Sequence, residues 1–339
     1  MRYNFCTFFD SKYLPQGLAL YNSLKRFCPD FTIWVLCLDN PTYEALKKMK
    51  LEGMILISTE EFETPQMLEL KKEPSRAYFA TIKPPFIKYI LEQNPEIDVV
   101  MYLDSDVFLF SSPALFYENF AKNSALNILL TPHRFSDNGE YLESRNGIFN
   151  NGIMAFKNNP VSLECLRDWF EDCIDWCQNR VLDGKFSNQK YHDKWSGLYP
   201  GVYSSDDRGV NVGPWNISQY KINHVGGSVS IDKDPLIIYH FSSFRMYSPG
   251  EFRLFDFDYK ISRRVRRLIY RPYTTELRNV AASIGLLAMP AVPHFERKPR
   301  IWERLRYRIK LISVKLHIYL KEHFRLYSRL FYSYSKKND

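Results

Sequence analysis

Two carboxylates, Asp104 and Asp106, lie near the centre of an apolar stretch, VVMYLDSDVFLF, over residues 99–110. A buried carboxylate is costly unless a cation or a hydrogen-bond donor pairs with it. In a strand, residues two apart point to the same side, so this pair would direct two oxygen ligands at one point. Mg²⁺ or Mn²⁺ is bound by one or two carboxylates together with substrate phosphates, and it neutralises charge on a diphosphate leaving group. The stretch predicts a metal–diphosphate site; the alternative is that one Asp caps a helix while the other pairs with a lysine.

The elements that must position this pair alternate between strands and helices. The predicted strands are 4–9, 31–39 and 53–58, and the predicted helices are 13–27, 41–49 and, broken at Pro84–Pro85, 68–91. Strands that are apolar throughout and alternate with helices predict a parallel sheet covered on both faces. Ligands of such sheets bind beyond the carboxyl ends of the strands, where Asp104, Asp106 and the segment Thr7–Asp10 would lie.

The part of the chain after the Asp pair continues the sheet. We expect a strand over 125–133, a polar loop over 134–146, a tight turn at Asn150–Gly152 before a further strand, and an apolar strand in 235–245 that ends at His240. A lone histidine on an apolar strand would by default be a core residue.

Several classes of protein and site are disfavoured. Neither G-x-G-x-x-G after the first strand nor G-x-x-x-x-G-K-[ST] occurs, which argues against a dinucleotide dehydrogenase and a P-loop enzyme. The sequence contains no run of about 18 apolar residues, so a membrane-spanning helix is not predicted. Of the six cysteines, Cys173 and Cys177 are four apart on a predicted helix. Because no His or Cys partner pair follows them, we interpret them as buried thiols of a cytosolic protein rather than as a metal or redox pair.

Four stretches, in order, resemble the GT-A glycosyltransferases, specifically the family-8-like sugar transferases of bacterial cell-envelope pathways. They are NFCTFFDSKYLPQGLALYNSL, MYLDSDVFLF, FNNGIMAFKNN and YHFSSF, and the resemblance covers about residues 3–245. It implies a GT-A (Rossmann-like) α/β fold with a mostly parallel sheet flanked by helices. It also implies that Asp104, Asp106 and His240 bind Mn²⁺ or Mg²⁺.

The same resemblance assigns residues to the nucleotide-sugar donor. It implies that Thr7, Phe8 and Asp10 line the nucleotide, although Asp10 could instead cap the helix that starts near residue 14. Ser105, between the two metal ligands, is placed with the same group. Lys83 would meet a diphosphate oxygen as a point charge. The alternative for Lys83 is a solvated position on a helix face.

Further residues are assigned to the sugar and its transfer. Asn151 and Gly152 would bind sugar hydroxyls, because a glycine lets the backbone approach closely. SNQKYHDKW, 187–195, resembles the family's Asp-Gln segment near the reactive carbon. Gln189 matches that segment, whereas Asn188 stands where the family usually has an acid, and Asp193 is a nearby carboxylate. A retaining enzyme of this fold can use its leaving diphosphate as the base.

An inverting enzyme would need a positioned carboxylate as general base. Asp193, Asp206 and Asp207 are the candidates for that role. The sequence leaves the choice between retention and inversion open.

A strongly basic segment follows the predicted sheet. The net charge is +8, but 19 of the 46 Lys/Arg residues and only 5 of the 38 Asp/Glu residues lie after residue 260. We therefore expect a catalytic domain over 1–260 and a basic helical C-terminal extension over 261–339. Within the extension, residues 300–334 lack Gly and Pro, and apolar positions recur mostly every three or four residues between cations. This pattern is typical of an amphipathic helix on an anionic membrane surface.

Two other interpretations of that helix are packing on the body or a partner subunit, and nucleic-acid binding. The latter is disfavoured because the cations follow helix periodicity. The combined hypothesis is a metal-dependent glycosyltransferase that moves a sugar, with UDP as the expected donor nucleotide, to a cell-envelope glycan or lipid-linked acceptor at the inner face of the plasma membrane. The alternatives are a non-catalytic sugar-nucleotide-binding module and a sugar nucleotidyltransferase. The nucleotidyltransferase would need a Gly-rich basic loop after the first strand, and NFCTFFDSKYLP has none.

Overall fold

The computed structural model describes residues 2–71, 75–136, 139–177, 187–256 and 259–286, and also 297, 298, 300 and 302. The chain divides into two compact units, Met1–Phe295 and Glu296–Asp339. All helices and strands given below belong to the first unit. Apart from residues 300 and 302, the predicted amphipathic helix over 300–334 lies outside the described residues.

Within the described part of the chain, the strands and helices follow one another as listed here. The strands are β1 (Tyr3–Phe9), β2 (Phe31–Cys37), β3 (Met54–Ser58), β4 (Val99–Leu103), β5 (Val107–Leu109), β6 (Ile128–Pro132), β7 (Phe149–Lys157), β8 (Val202–Ser204), β9 (Ile222–Val225), β10 (Ser228–Ile231), β11 (Asp234–Pro235), β12 (Ile238–His240), β13 (Arg245–Ser248) and β14 (Glu251–Arg253). The α-helices are α1 (Leu14–Phe27), α2 (Asn40–Met49), α3 (Thr59–Phe62), α4 (Pro65–Leu70), α5 (Ser75–Thr81), α6 (Lys83–Gln93), α7 (Ala114–Lys122), α8 (Gly139–Asn146), α9 (Pro160–Asp175), α10 (Trp195–Leu198), α11 (Arg263–Val265) and α12 (Arg271–Leu286). Short 3₁₀ turns occur at Lys190–Lys194 and Ile217–Gln219, and a π-helical turn at Arg266–Tyr270 joins α11 to α12.

The central sheet has seven strands in the order β3-β2-β1-β4-β7-β6-β8. Strands β1 to β4 are parallel to one another, β7 runs antiparallel to both β4 and β6, and β8 is parallel to β6. This confirms the predicted mostly parallel α/β sheet. It also follows that β1, β4, β6 and β8 all end at the same edge of the sheet, where β7 begins. We call this the carboxyl edge.

Strand periodicity divides the core between the two faces of the sheet. In β4, Val99, Met101 and Leu103 pack with residues of α1 and α7, whereas Val100 and Tyr102 pack with residues of α6 and α9. Because both faces are covered by helices, every residue of β2 and β4 is buried, which explains why these strands are apolar throughout.

The compact unit continues past the predicted boundary at residue 260. Ile269, Tyr273 and Leu277 are fully buried in a third apolar cluster that also contains Phe108 and Tyr239. The helix α12 therefore belongs to the folded body. Among the described residues, no helix is both long and apolar enough to cross a membrane.

Some local predictions of helix and loop boundaries differ from the structure. The helical stretch is interrupted at Ile82, and Pro84 and Pro85 lie just after it in the first turn of α6, where proline is tolerated because the first-turn N–H groups have no partner within a helix. The polar segment 134–146 is not all loop, since α8 occupies its second half. The six cysteines are free and buried, which confirms the prediction for Cys173 and Cys177, but α9 ends at Asp175 and Cys177 lies beyond it.

Candidate active site

Asp104 and Asp106 lie in a turn between β4 and β5, so the prediction that both belong to one strand is wrong. The turn is closed by a hydrogen bond from Val107 N to the Asp104 carbonyl, at 3.2 Å. Asp104 N donates to the Gly152 carbonyl of β7 at 2.8 Å, and Phe241 N donates to the Asp106 carbonyl at 2.8 Å. The backbone on either side of the turn is thereby fixed to β7 and to the end of β12.

The pairing of β5 with β12 brings His240 to the Asp pair. His240 lies opposite Val107 in this antiparallel pair. Its Nε2 is 3.1 Å from Asp106 Oδ1 and 3.9 Å from Asp104 Oδ2. One ligand atom from each of the three residues lies within 4.8 Å of the others. The structure thus brings together the three residues predicted as metal ligands.

The donor set fits the predicted cation. Carboxylate oxygens suit Mg²⁺ and Mn²⁺, and a single imidazole beside them is compatible with Mn²⁺. His240 Nδ1 is buried and, among the described residues, has no hydrogen-bond partner. The side chains of Asp104 and Asp106 keep 28% and 20% of their surface exposed, so a cation and a phosphate have access to them.

His240 and Asp106 stabilise each other's charged forms. Burial lowers the pKa of His240, but the carboxylates of Asp106 and Asp104 outweigh burial, and the net pKa is raised. Burial likewise raises the pKa of Asp106, and His240 outweighs it, so the net pKa is lowered. The two directions agree with an imidazolium–carboxylate pair.

Lys83 is buried beside the Asp pair. Its side chain is 5% exposed, and Nζ lies 2.9 Å from Asp104 Oδ1 and 2.9 Å from the Asn151 carbonyl oxygen. The ammonium also lies 4.4 Å from the ring centroid of Tyr102, whose hydroxyl donates to the same carboxylate oxygen at 2.7 Å. The solvated helix-face alternative is therefore wrong. Binding of a diphosphate by Lys83 stays a prediction. The lysine lies against a predicted metal ligand, which is the position that this prediction requires.

Gly152 is in contact with the imidazole. The segment Asn150–Gly152 lies within β7, at a shift in its register with β6, and does not form the predicted turn. A Cβ at Gly152 would lie 2.5 Å from His240 Cε1, a distance that no side chain tolerates without displacing the ring. The absence of a side chain at Gly152 thus makes room for His240, whereas sugar binding by Asn151 and Gly152 stays a prediction.

Trp215 and His133, which the sequence did not reveal as part of the site, contact His240 and Asn150. The Trp215 ring lies edge-on to His240, with centroids 5.3 Å apart. Trp215 Nε1 donates to the His133 carbonyl at 2.8 Å, and His133 Nε2 lies 3.3 Å from Asn150 Nδ2. The sequence contained one signal, the glycine of the GPWN stretch. A glycine is needed there because a Cβ at Gly213 would lie 2.5 Å from the Trp215 ring.

The amides predicted for the reaction centre have different neighbours. Asn188 is 3% exposed; its Oδ1 accepts from Asn151 Nδ2, and its Nδ2 donates to the Ala80 carbonyl at 2.8 Å. Gln189 Nε2 donates to the Asn146 carbonyl at 2.6 Å. Asn188 thus contacts a residue of the site, whereas Gln189 contacts the backbone that precedes β7.

The three candidate bases also have defined positions. Asp193 Oδ1 accepts from Ile148 N at 2.8 Å. Asp207 Oδ2 accepts from Asn119 Nδ2 at 3.0 Å. Asp206 lines a separate polar cavity. Two of the three carboxylates therefore hold backbone or side-chain donors in place.

Residues predicted for the nucleotide lie at and just beyond the end of β1. Thr7 is fully buried, and the ring of Phe8 packs against Phe86 and Tyr102. Asp10 Oδ1 accepts from the N–H groups of residues 12 and 13, at 3.1 and 3.3 Å. Tyr13, and not Asp10, is the N-cap of α1, so the capping alternative is wrong. Ser105 lies half-buried in the turn between the two aspartates.

A second carboxylate near Asp10 was not predicted. Asp39 caps α2 by accepting from Thr42 N at 2.9 Å, and it also accepts from Ser11 N at 3.0 Å. Burial raises the pKa of Asp10, and the charge of Asp39 acts in the same direction. The carboxyl edge at β1 and β2 therefore carries two acceptors that could meet hydroxyl or N–H donors.

Comparison with known proteins places the chain in a family. No protein-family profile matches it. It is 33% identical to the uncharacterized protein YfnF of Bacillus subtilis (strain 168) over 254 residues, which cover 74% of this chain and 84% of YfnF. It is 31% identical to YfnD of the same organism over 280 residues, which cover 81% of this chain and 89% of YfnD. The chain belongs to the YfnF–YfnD family.

The fold of this YfnF–YfnD family member is shared with a solved glycosyltransferase structure. GlyE of Streptococcus pneumoniae TIGR4 matches with a TM-score of 0.50 and 16% identity over 84% of this chain and 64% of GlyE. This likeness supports the GT-A glycosyltransferase fold that the sequence resemblance implied.

Proposed function

We propose that the chain is a metal-dependent glycosyltransferase whose donor is a nucleoside diphosphate sugar, with UDP as the expected nucleotide. The observation that carries this proposal is the convergence of Asp104, Asp106 and His240 at the carboxyl edge, with Lys83 against the same carboxylate. These three ligands would hold Mn²⁺ or Mg²⁺, which neutralises charge on a departing diphosphate. Lys83 would add a second positive charge.

The order of the strands supports the same assignment. Neighbouring strands lie about 4.8 Å apart, so β1, β4 and β7 place their functional ends side by side. In this order, residues of the β1 end would bind the nucleotide, the turn after β4 would bind the metal, and the start of β7 would bind the sugar. The sequence of sites matches the sequence of groups in a nucleoside diphosphate sugar.

The chemistry of transfer is proposed from the amides near Asn151. An amide such as that of Asn188 cannot take up a proton as a general base does. Asp193 and Asp207 are engaged with Ile148 N and Asn119, and Asp206 lines a separate cavity that contains none of the metal ligands. We therefore assign deprotonation of the acceptor hydroxyl to an oxygen of the leaving diphosphate, as in a retaining enzyme.

The decisive experiment is calorimetric titration with UDP in the presence of Mn²⁺ and then of a chelator. The wild type, Asp106→Ala and the control Asp98→Asn would be compared; Asp98 is exposed just before β4, at the opposite edge of the sheet. The proposal expects binding that requires both the metal and Asp106 and is unchanged in Asp98→Asn. Binding of UDP that does not depend on the metal, or the absence of UDP binding, contradicts the proposal.

A second candidate, a non-catalytic sugar-nucleotide-binding module, is favoured by Asn188. This residue stands where the resembled family has an acid, and both ends of its amide are hydrogen-bonded. Hydrolysis of UDP-sugars with Mn²⁺ separates the two candidates. Release of UDP indicates an enzyme, whereas metal-dependent binding of UDP without any release indicates a binding module.

We further propose that the acceptor is an envelope glycan or lipid-linked sugar and that the chain works at the inner face of the plasma membrane. The support is the basic, periodic sequence of residues 300–334, since each cation near an anionic leaflet contributes about 1 kcal/mol. Co-sedimentation with phosphatidylglycerol vesicles tests this. Full-length protein should sediment, and replacement of Arg304, Arg306 and Arg308 by Gln should weaken sedimentation; equal sedimentation of both contradicts the proposal.

A further inference from the structure

A polar cavity of about 460 Å³ lies beyond the ends of β6 and β8. Ligand sites typically have volumes of roughly 300–1,000 Å³. The lining residues are Arg134, Asp206, Arg208, Gln219, Tyr220 and Asp232. None of them belongs to the residues assigned above to the metal or the donor.

The sheet places this cavity beside the metal cluster. Arg134 is two residues beyond β6, and Asp206 is two residues beyond β8, so both follow the carboxyl edge that carries Asp104 and Asp106. Strand β6 is separated from β4 by β7 alone, which corresponds to about 10 Å. This is the direction in which the proposed order of nucleotide, metal and sugar continues.

Trp215 connects the two places directly. Its ring contacts His240, and its Nε1 donates to the carbonyl of His133, the residue before Arg134. Trp215 therefore links the metal cluster to the residue that precedes Arg134 of the cavity lining.

Three of the six lining residues, Arg134, Gln219 and Asp232, are held in place by hydrogen bonds. Arg134 has φ of +49°, a left-handed conformation that side-chain-bearing residues seldom adopt. Gln219 Nε2 donates to the Arg134 carbonyl at 2.6 Å, and the Arg134 guanidinium donates to the Ser205 carbonyl. Asp232 Oδ1 accepts from Lys221 N at 2.8 Å. A site whose side chains are already fixed loses less conformational freedom on binding.

The chemistry of the lining selects the class of ligand. Two guanidinium groups and two carboxylates cancel in charge, so the cavity has no net attraction for a phosphate. A vicinal diol can accept from a guanidinium and donate to a carboxylate at the same time. The Tyr220 ring supplies an apolar surface for the C–H groups of a sugar ring. We propose that this cavity is the acceptor subsite and binds an uncharged, hydroxyl-rich sugar ring; the acceptor role rests on the proposed function.

The test uses the full chain with UDP and the diamagnetic cation Mg²⁺, and a mixture of the methyl β-glycosides of glucose, galactose and N-acetylglucosamine. Saturation-transfer NMR reports binding of each glycoside. The variants are Asp206→Asn and Arg208→Gln, both at exposed positions, with Asp98→Asn as control. We expect each cavity variant to weaken glycoside binding roughly fivefold, the usual effect of one lost hydrogen bond, and to leave UDP affinity unchanged.

The outcomes separate the two proposals. Saturation transfer that is equal in wild type and both cavity variants overturns the subsite, as does the absence of transfer from the protein to any of the three glycosides. If UDP does not bind but a glycoside does so through Asp206 and Arg208, the sugar-binding cavity is supported and the glycosyltransferase function fails. If UDP binds and the cavity variants have no effect on glycoside binding, the nucleotide site is supported and the sugar-binding cavity fails.

Discussion

Lys83 is buried against Asp104, with Nζ 2.9 Å from Oδ1. The same carboxylate is a proposed metal ligand, so Lys83 and a cation compete for Asp104 although both would bind a diphosphate. The lysine therefore has opposite effects on the two ligands. It opposes binding of the metal alone and supports binding of metal with nucleotide.

The variant Lys83→Met tests this double role. We expect Mn²⁺ alone to bind more tightly, because Asp104 loses a competing cation, and UDP with Mn²⁺ to bind about tenfold more weakly, because a charge-assisted hydrogen bond is lost. Calorimetry with each ligand measures both. The control is Lys88→Met, on the same helix, whose partner is Glu92. Loss of both affinities together would indicate general damage to the site and contradict the double role.

A methyl group at Gly152 should displace His240. Because the added Cβ would lie 2.5 Å from His240 Cε1, we expect Gly152→Ala to weaken Mn²⁺ binding at least about tenfold, as the loss of ligand orientation commonly does. The free energy of unfolding should fall by about 1–3 kcal/mol. Titration with Mn²⁺ and denaturant unfolding measure the two effects.

The matched control is Gly197→Ala, since a Cβ at Gly197 meets no atom within 4 Å. This variant should behave as wild type in both assays. If Gly152→Ala also keeps wild-type Mn²⁺ affinity, then His240 is not held by the close approach of Gly152.

How far the sequence could predict these features depends on the range of the contacts. Strands β1, β2 and β4 and helices α1 and α2 follow from local periodicity, because their burial repeats within a few residues. The turn at Asp104–Asp106 could not be distinguished from a strand, because VFL continues the apolar run after it. What separates the two is the pairing of β5 with β12, more than 120 residues along the chain.

The site shows the same limit. Motif order predicted that Asp104, Asp106 and His240 converge, and the structure brings them together. Burial of Lys83, in α6, could not be predicted. It depends on the Asn151 carbonyl of β7 and the Tyr102 ring of β4, which are distant from Lys83 in the sequence. Trp215 was missed for the same reason, since its contact with His240 joins two segments without a shared pattern.

Replacing Asn188 by the acid that the resembled glycosyltransferases carry should destabilise this chain. In Asn188→Asp, the carboxylate would still accept from Asn151 Nδ2 but would face the Ala80 carbonyl without a proton to donate. We expect the free energy of unfolding to fall by about 1–3 kcal/mol or more, because the residue is buried and a charge is introduced. We also expect no gain in hydrolysis of UDP-sugars. Denaturant unfolding and UDP release measure these outcomes.

The control for this exchange is Asn123→Asp. Asn123 is half-buried, and its Oδ1 accepts from Ala125 N, which a carboxylate can also do. The change in stability should stay within about 0.5 kcal/mol. A stable and more active Asn188→Asp would show that the site retains the geometry for an acid and that the Asn188 donation to the Ala80 carbonyl is not required.

His133 should make stability fall as the pH falls below neutral. Burial lowers the pKa of His133 to about 4, although the carbonyls of Ile148 and Gly147 act in the opposite direction. The unfolded chain binds a proton at this residue near pH 6.5, so between pH 6.5 and 4 the unfolded state holds more protons and is favoured. The expected loss from His133 is about 2 kcal/mol at pH 5 and approaches about 3 kcal/mol near pH 4, below which it grows no further.

Denaturant unfolding at pH 7.5 and pH 5 measures this loss. In His133→Gln, which has no titrating ring, the difference between the two pH values should shrink by about 2 kcal/mol. The control is His224→Gln, at an exposed position of β9, and it should keep the wild-type difference. An undiminished difference in His133→Gln would mean that His133 is not the buried neutral base that supports Asn150, and that another group carries the acid sensitivity.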